Sequence, residues 1–371
     1  MGPAPLEGDA VMAKVNYPQI TQMCADFGNS VTTCASLRFA AKRCPLFLLL
    51  LSAQICAICG QHIPAMAAEP SSRPTVIVVV GAAGSDEYGP QFATWADRWE
   101  AAAKRGGATV KKVSETLNSR DLLKDALVAA ASEEGAPLWL VLIGHGTFDG
   151  KTARFNLVGP DVSSTELAEW CQSLARPLAA IDCTSSSGPF LKALAGPERV
   201  VITATKSGQE KNFARFGDYL SSAVGDVAAD LDKDGQTSLL EAYLRAARGV
   251  EEFYSGAARL ATEHALLDDT GDGLGTPASW FTGIRAVRRP KEGAALDGAL
   301  AARWHLIAGD QESKLSPAAR LARDALEQAI AALRETKASL PEDAYYAKLE
   351  PLLVELARLY RGPFVPTAPR D

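Results

Sequence analysis

Two apolar runs decide the fold of this chain: residues 138–147 read LWLVLIGHGT, and residues 178–188 read LAAIDCTSSSG. Each opens with an unbroken apolar stretch, which is typical of a strand buried on both faces of a sheet. The first run ends in His145, and the second ends in Cys183 beside a row of hydroxyl residues. The chain between them has room for a hairpin and one helix. We therefore predict two parallel neighbouring strands that end at the same edge of the sheet.

The rest of the chain up to about residue 288 alternates between strand and helix patterns. The β-branched run at 75–80 predicts a second strand buried on both faces, and 109–113 predicts an edge strand. Apolar spacing predicts a helix over 119–133, and Ser163 followed by Glu166 forms a capping-box pattern at the start of another helix. This alternation predicts an α/β fold of three layers around a mostly parallel sheet, over residues 68–288.

The last part of the chain, residues 296–361, has a different pattern. Leucines at helical spacing form two apolar stripes, and Leu340-Pro341 separates them. We predict a C-terminal helical hairpin that follows the α/β domain. Its stripes either pack on that domain or mediate self-association of the chain.

The charge balance limits the class of partner. Of 371 residues, 22% are charged and the net charge is -6, so a basic surface for nucleic acid is not expected. The hydrophobic content of 47% is that of a globular protein with a substantial core. The sequence therefore favours a peptide or protein partner, or a metal ion, and excludes a nucleic-acid partner.

The N-terminal segment has the order of a secretory signal. Basic residues near Arg38 precede the apolar run 45–51, and Ala65-Met66-Ala67 offers a small-x-small cleavage site. We predict a signal peptide and leader over 1–67, and an exported protein, periplasmic or secreted, that starts near Ala68. The alternative is an uncleaved segment that anchors the protein in a membrane, although the apolar run is short for a spanning helix.

The two strand ends carry the residues of a candidate catalytic dyad. His145 is the ordinary type of general base near neutral pH, and the thiolate of Cys183 would be the nucleophile. The N–H of Gly146 would contribute to an oxyanion hole. The alternative is that both residues are only structural, with His145 a turn residue and Cys183 a small buried side chain. A disulfide between Cys171 and Cys183 is a further alternative, since export permits one.

These motifs resemble those of the caspase-like cysteine peptidases, and most of all the legumain branch. In that family a hydrophobic strand ends in His-Gly-Ser/Thr, which resembles residues 143–147, and the next strand ends in an acidic residue and a cysteine, which resembles 181–188. The resemblance covers roughly residues 74–220. It implies a caspase-like fold, a peptide or protein substrate, and peptide-bond hydrolysis or transpeptidation by His145 and Cys183.

One departure from the family pattern leaves the nucleophile open. The family places its cysteine two or three residues before the glycine, and those positions hold Ser186 and Ser185 here. An alignment without gaps puts Thr184 at that place instead. Three outcomes compete: Cys183 is the nucleophile, a serine replaces it, or the chain is a catalytically inactive caspase-like scaffold that binds calcium and a partner.

Residues 230–241, which read DLDKDGQTSLLE, match the twelve-residue calcium loop of EF-hand proteins. Oxygen ligands at alternate positions fold around a hard cation, Gly235 permits the sharp turn, and an acidic residue at position 12 closes the site. We predict a Ca²⁺ site formed by Asp230, Asp232, Asp234, Gln236, Ser238 and Glu241. The alternative is a solvated acidic turn before a helix.

A second acidic turn begins at Asp268 and reads DDTGDG. It resembles the first half of such a loop, with Asp268 and Asp272 as ligands, but its twelfth position is Ser279. It is either a second calcium loop over 268–279 or an Asp-Gly turn, and the sequence does not distinguish the two.

Overall fold

The computed structural model describes residues 73–361, except residues 115 and 134. In this part of the chain twelve strands and nine α-helices follow one another. The strands are β1 Thr75–Val80, β2 Thr109–Val113, β3 Leu138–Ile143, β4 Gly146–Phe148, β5 Ala153–Phe155, β6 Val162–Ser163, β7 Leu178–Asp182, β8 Arg199–Thr203, β9 Leu266–Asp268, β10 Thr276–Pro277, β11 Phe281–Thr282 and β12 Arg285–Ala286. The helices are α1 Tyr88–Arg105, α2 Ser119–Ala131, α3 Ser164–Trp170, α4 Gly188–Leu194, α5 Phe216–Ala223, α6 Leu239–Gly256, α7 Asp310–Lys314, α8 Pro317–Glu335 and α9 Glu342–Arg361.

The centre of the described chain is a seven-stranded sheet with the order β10-β9-β8-β7-β3-β1-β2. The strands from β8 to β2 are parallel, whereas β9 and β10 add an antiparallel edge. The prediction of a mostly parallel sheet is confirmed. The pair β3 and β7 are direct parallel neighbours, with Leu142 opposite Asp182, as the two apolar runs predict.

Side chains of the central strands alternate between two apolar layers. Val141, Ile181 and Ile202 face one layer, which packs against α1, α5 and α6. Leu140 and Ala180 face the other, which packs against α2, α3 and α4. Because both faces of the sheet are covered by helices, β1 and β3 are buried at every position, and apart from Thr75 all their residues are apolar. The fold is therefore the three-layer α/β arrangement that the sequence predicts.

Short strands and a helix lie beside the edge of the sheet at which β3 and β7 end. Strands β4, β5 and β6 form a separate antiparallel sheet directly after His145. The predicted capping box at the start of α3 is present, since the Ser163 hydroxyl accepts the Glu166 N–H and the Glu166 carboxylate accepts the Ser163 N–H. These elements fix the chain on either side of the β3 carboxyl end.

The C-terminal region differs from its prediction in one respect. The sequence predicts helix from about residue 296, but the α-helices begin only at Asp310, and Ala301–Arg303 is a single 3₁₀ turn. The stretch before α7 packs on the α/β layers instead: the Trp304 ring lies 6.4 Å from the Trp139 ring. Helices α8 and α9 then form the predicted hairpin, separated at Pro341.

The signal-peptide and membrane-anchor predictions both concern residues 1–67. These residues lie outside the described residues. Among the described residues, no helix combines the length and the apolar character that crossing a bilayer requires.

The central layer makes a first prediction. Leu140 is fully buried in the middle of β3, so Leu140→Ala removes its apolar contacts and leaves a cavity. We expect a loss of about 2–5 kcal/mol in the free energy of unfolding, measured by denaturant titration. The matched control is Val128→Ala on α2, where the side chain is 57% exposed, and a loss below about 0.5 kcal/mol is expected there. Equal losses in both variants would contradict the buried central strand.

Candidate functional site

The carboxyl ends of β3 and β7 meet closely. A Cβ added to Gly146 would lie 2.1 Å from the Ser185 carbonyl oxygen and 2.7 Å from the Thr184 hydroxyl, so only glycine fits there. The Ser185 hydroxyl donates to the Gly146 carbonyl (3.1 Å) and lies 3.4 Å from the Gly146 N–H. The sequence reasoning is right that the two strand ends come together. The Gly146 N–H, however, faces Ser185, which leaves no room for a substrate oxygen in the predicted oxyanion hole.

The imidazole of His145 is oriented by a backbone carbonyl. Its Nε2 lies 3.1 Å from the Ala83 carbonyl oxygen, in the loop that follows β1. Because a carbonyl only accepts, the hydrogen resides on Nε2, and Nδ1 is the basic nitrogen. Partial burial lowers the pKa of His145, and the Ala83 hydrogen bond opposes that shift only in part. The side chain is therefore a neutral base at neutral pH.

Three aromatic rings enclose His145. The ring centroids of Tyr88, Phe92 and Phe213 lie 4.7, 5.1 and 6.0 Å from the imidazole centroid. Tyr88 and Phe92 come from α1, and Phe213 comes from the segment before α5. The rings desolvate the imidazole, which is the cause of its lowered pKa.

The thiol of Cys183 lies in the core. The residue is 1% exposed and belongs to the apolar layer under α1 and α5. A Cβ added to Gly217 on α5 would lie 2.8 Å from the Cys183 Cβ and 2.7 Å from the Trp95 ring, so helix and strand are in tight contact at this point. Burial first, and then the negative charges of Asp182 and Glu263, raise the pKa of the thiol far above its ordinary value.

This environment argues against Cys183 as the nucleophile, although the predicted role itself stays a prediction. A reactive thiolate needs an accessible, electropositive setting, and the setting of Cys183 is apolar and negative. No hydrogen bond joins the sulfur to His145 in the described part of the chain. The disulfide alternative is also wrong: Cys171 and Cys183 are both free, and they lie in the two different apolar layers.

The hydroxyls that follow Cys183 are buried and mostly bonded within the fold. Thr184 donates to the Asp182 carboxylate at 2.6 Å, and Ser185, which is 5% exposed, bridges to Gly146. Ser187 and Thr205 share a hydrogen bond at 3.0 Å. Ser185 therefore connects the end of β7 to the segment after β3, and Ser187 connects it to the segment after β8.

Two polar groups of this edge lack partners within the described residues. The Ser186 hydroxyl is buried without a hydrogen-bond partner, and its φ of 57° places it in the left-handed region. The Oδ2 atom of Asp182 is equally buried and unpartnered. Burial raises the pKa of Asp182 to about 7, against the opposing hydrogen bonds from Thr184.

Sequence reasoning missed the groups that surround the imidazole. The Ala83 carbonyl carries no side-chain signal, and only the glycine-rich loop 81–84 indicates an exposed backbone there. The aromatic cluster does have a signal, because Tyr88, Phe92 and Trp95 follow helical spacing. Phe213 could not be found, since it reaches the site only through the placement of α5.

The predicted calcium loop brings three carboxylates together. Oxygen atoms of Asp230, Asp232 and Asp234 lie within 4.8 Å of one another. The Asp230 carboxylate accepts the N–H groups of Lys233 (2.6 Å) and Gly235 (3.0 Å), which closes the turn. Burial, followed by the negative charges of Asp234 and Glu241, raises the pKa of Asp232 to about 6. Crowded carboxylates of this kind are what a divalent cation neutralises.

The other predicted ligands of this loop engage the start of α6. Ser238 and Glu241 form a capping box with each other. The second Glu241 oxygen accepts the N–H groups of Leu231 (2.6 Å) and Asp232 (3.2 Å), so its carboxylate lies over the loop backbone. Gln236 donates from its side chain to Asp234 (3.0 Å). The donor set therefore fits a hard cation at its three aspartates, with Glu241 close by.

The second acidic turn has the same backbone arrangement. The Asp268 carboxylate accepts the N–H groups of Gly271 (2.9 Å) and Gly273 (2.8 Å), as Asp230 does at the equivalent positions. Asp272 accepts the Leu274 N–H (2.8 Å). Within the described residues, however, no third acidic side chain converges with Asp268 and Asp272. Asp269 is a structural residue, since its carboxylate accepts N–H groups of the 298–301 segment.

Comparisons with known proteins give weak likenesses of structure, among them two insect caspases. No family model matches the chain, and no curated protein matches it. The Drosophila initiator caspase Dronc is 14% identical over 53% of this chain and 80% of its own, with a TM-score of 0.38. Caspase-1 from Spodoptera frugiperda is 10% identical over 53% of this chain and 86% of its own, with a TM-score of 0.35. Both TM-scores are low, so neither likeness carries an argument about the function of this chain.

The buried carboxyl of Asp182 predicts a pH-dependent stability. Its pKa of about 7 in the folded chain exceeds the ordinary 3.8, so ionisation costs folding free energy. Stability falls as the pH rises from 3.8 to about 7, and the loss persists above that. Asp182→Asn removes the ionisable carboxyl, so the fall in stability that its ionisation causes is absent in the variant. We expect the variant to gain stability relative to wild type between about pH 5 and pH 8, by a few kcal/mol, measured by denaturant titration.

The control for this measurement is Asp125→Asn, an exposed carboxylate on α2. Its difference from wild type should not change over the same pH range. If the stability difference between Asp182→Asn and wild type is also independent of pH, the carboxyl of Asp182 is not buried at the β7 end.

Proposed function

We propose that the chain is a calcium-binding module of caspase-like architecture. The residues at the carboxyl ends of β3 and β7 hold the fold together and do not cleave peptides. The observation that carries the proposal is the burial of the whole row from Cys183 to Ser187 at the carboxyl end of β7. A nucleophile must meet a substrate carbon, and none of these side chains reaches a surface.

The electrostatics of the edge support the same conclusion. A working thiol is activated by a neighbouring cation, a helix N-terminus or an imidazolium. Here Asp182 and Glu263 are the charges that act on Cys183, and both disfavour a thiolate. The neutral imidazole of His145 is oriented for base catalysis, but Cys183 offers it no reachable proton.

The calcium part of the proposal is supported by the loop 230–241. Asp230, Asp232 and Asp234 offer converging oxygens, and the hydrogen bonds from Lys233 and Gly235 hold the turn in place. A bound Ca²⁺ would remove the like-charge repulsion among these carboxylates and tie the start of α6 to the segment before it. Export remains part of the proposal as well, because an exported chain meets more calcium than a cytosolic one.

Calcium binding makes a direct prediction. We expect isothermal titration calorimetry to give a dissociation constant between about 10⁻⁷ and 10⁻³ M, the range of sensor and extracellular calcium loops. Calcium at about a hundred times that constant should raise the free energy of unfolding by about 2.7 kcal/mol. Asp230→Asn should weaken binding by about tenfold or more, because it removes a ligand charge and replaces one of the two oxygens that accept the turn hydrogen bonds by an amide donor.

The matched control is Asp268→Asn, the equivalent position of the second turn. It should leave the strongest binding event unchanged, because only the first turn gathers three carboxylates. Absence of heat in the wild-type titration would contradict the calcium site.

A second function, serine-dependent hydrolysis, has one specific observation in its favour. Ser186 combines a left-handed backbone with an unpartnered hydroxyl, and His145 has a free basic nitrogen. Strained residues of this kind occur at functional sites. Loop movement that exposes Ser186 to His145 would produce a serine nucleophile, as the sequence alternatives Ser185 and Ser186 anticipate.

A fluorophosphonate probe distinguishes the two functions, because it labels only an activated serine. We expect no labelling of Ser185 or Ser186 in the native wild-type chain, and the same result in His145→Ala. Labelling of Ser186 that His145→Ala abolishes would replace the module by a serine hydrolase.

A further inference from the structure

The calcium loop is joined to the chain that leads into the C-terminal helices. Ser238, at the end of the loop, pairs with His305 in an isolated antiparallel bridge. The next residue, Leu239, donates its N–H to the Trp304 carbonyl at 2.8 Å. The first turn of α6 and the 304–305 segment are therefore held together by main-chain contacts.

The side chain of Gln236 extends this connection to α7. Its oxygen accepts the N–H of Gly309 at 3.0 Å, and its nitrogen donates to the Asp234 carboxylate at 3.0 Å. Gly309 is the residue that precedes α7, and it approaches the loop so closely that an added Cβ would lie 3.0 Å from the Gly235 carbonyl oxygen. One side chain thus links a candidate calcium ligand to the start of the C-terminal helices.

A cavity of about 700 Å³ separates the loop from helices α8 and α9. Asp232 and Asp234 lie on the loop side of this cavity, and Glu327 and Tyr360 lie on the helix side. The cationic side chains of Arg303 and Arg323 line the same cavity, so Glu327 faces charges of both signs. The Arg303 guanidinium also donates to the Asp324 carbonyl on α8 at 3.0 Å.

From these contacts we infer that calcium at loop 230–241 controls how firmly helices α7, α8 and α9 dock on the α/β layers. The inference rests on the proposed calcium site. A bound cation immobilises the loop whose Gln236 accepts the Gly309 N–H. This favours the docked helices. Helices α7, α8 and α9 then form an arm that docks firmly when calcium occupies the loop and more loosely when the loop is empty.

Hydrogen–deuterium exchange of the full chain tests this inference, with calcium affinity measured on the same samples by calorimetry. We expect saturating calcium to slow exchange of the α8 and α9 amides by about threefold or more. At a calcium concentration near the wild-type dissociation constant, Asp230→Asn, which weakens the site, should show a much smaller slowing than wild type.

The uncoupling variant is Gly309→Pro. Gly309 has a φ of -70°, which suits proline, and proline removes the N–H that donates to Gln236. No carboxylate ligand changes, but the added ring carbons contact the loop, since a Cβ at Gly309 would lie 3.0 Å from the Gly235 carbonyl oxygen. Exchange is therefore measured at a calcium concentration that calorimetry shows to saturate the variant, and the slowing of α8 and α9 should be smaller there than in wild type.

The possible results separate the inference from the site on which it rests. Calcium binding in wild type without any change in α8 and α9 exchange overturns the inference and leaves the calcium site standing. Undiminished slowing in Gly309→Pro also overturns it, because the arm would then not respond through this connection. A wild-type chain that binds no calcium overturns both the site and the inference.

Discussion

The parallel pairing of β3 with β7 is the constraint on which the rest of the structure depends. Leu142 lies opposite Asp182, so the residues that follow, Gly146 and Ser185, are brought into direct contact. Strand alternation then assigns Cys183 to the layer of Ile181, beneath α5. The register that brings His145 and Cys183 to one edge of the sheet therefore also buries the thiol. The residues at this edge bond the strands to one another.

A second feature of the molecule is a group of acidic side chains that form no ion pair among the described residues. Two turns with the same hydrogen-bond pattern, closed by Asp230 and Asp268, flank the long helix α6. The second is tied into the fold through Asp269 and Asp297, whose carboxyls accept main-chain hydrogen bonds across the turn. The first keeps three carboxylates facing one another. The two turns share their backbone hydrogen bonds, but only the first gathers carboxylates, and the second is bonded into the fold.

Much of this arrangement could be predicted from the sequence because it is encoded locally. Unbroken β-branched runs identify the buried strands, and the pair Ser163 and Glu166 identifies a helix start, as the structure confirms. The spacing of the acidic residues in 230–241 likewise predicts the convergence of three aspartates. The placement of Cys183 could not be predicted, since it depends on how closely α5 approaches at Gly217. The same holds for the Ala83 carbonyl, which a distant loop brings to His145, and for Trp304, whose packing replaces a predicted helix.

The rate at which a thiol reagent modifies Cys183 tests the central claim most directly. Iodoacetamide is applied near neutral pH to the native chain and to the chain unfolded in denaturant, and modification at Cys183 is read by mass spectrometry. Because the sulfur is sealed and its thiolate is disfavoured, the native rate should be at least about a hundredfold below the unfolded rate. A native rate equal to or above the unfolded rate, and lowered by His145→Ala, would show an activated nucleophile and contradict the account.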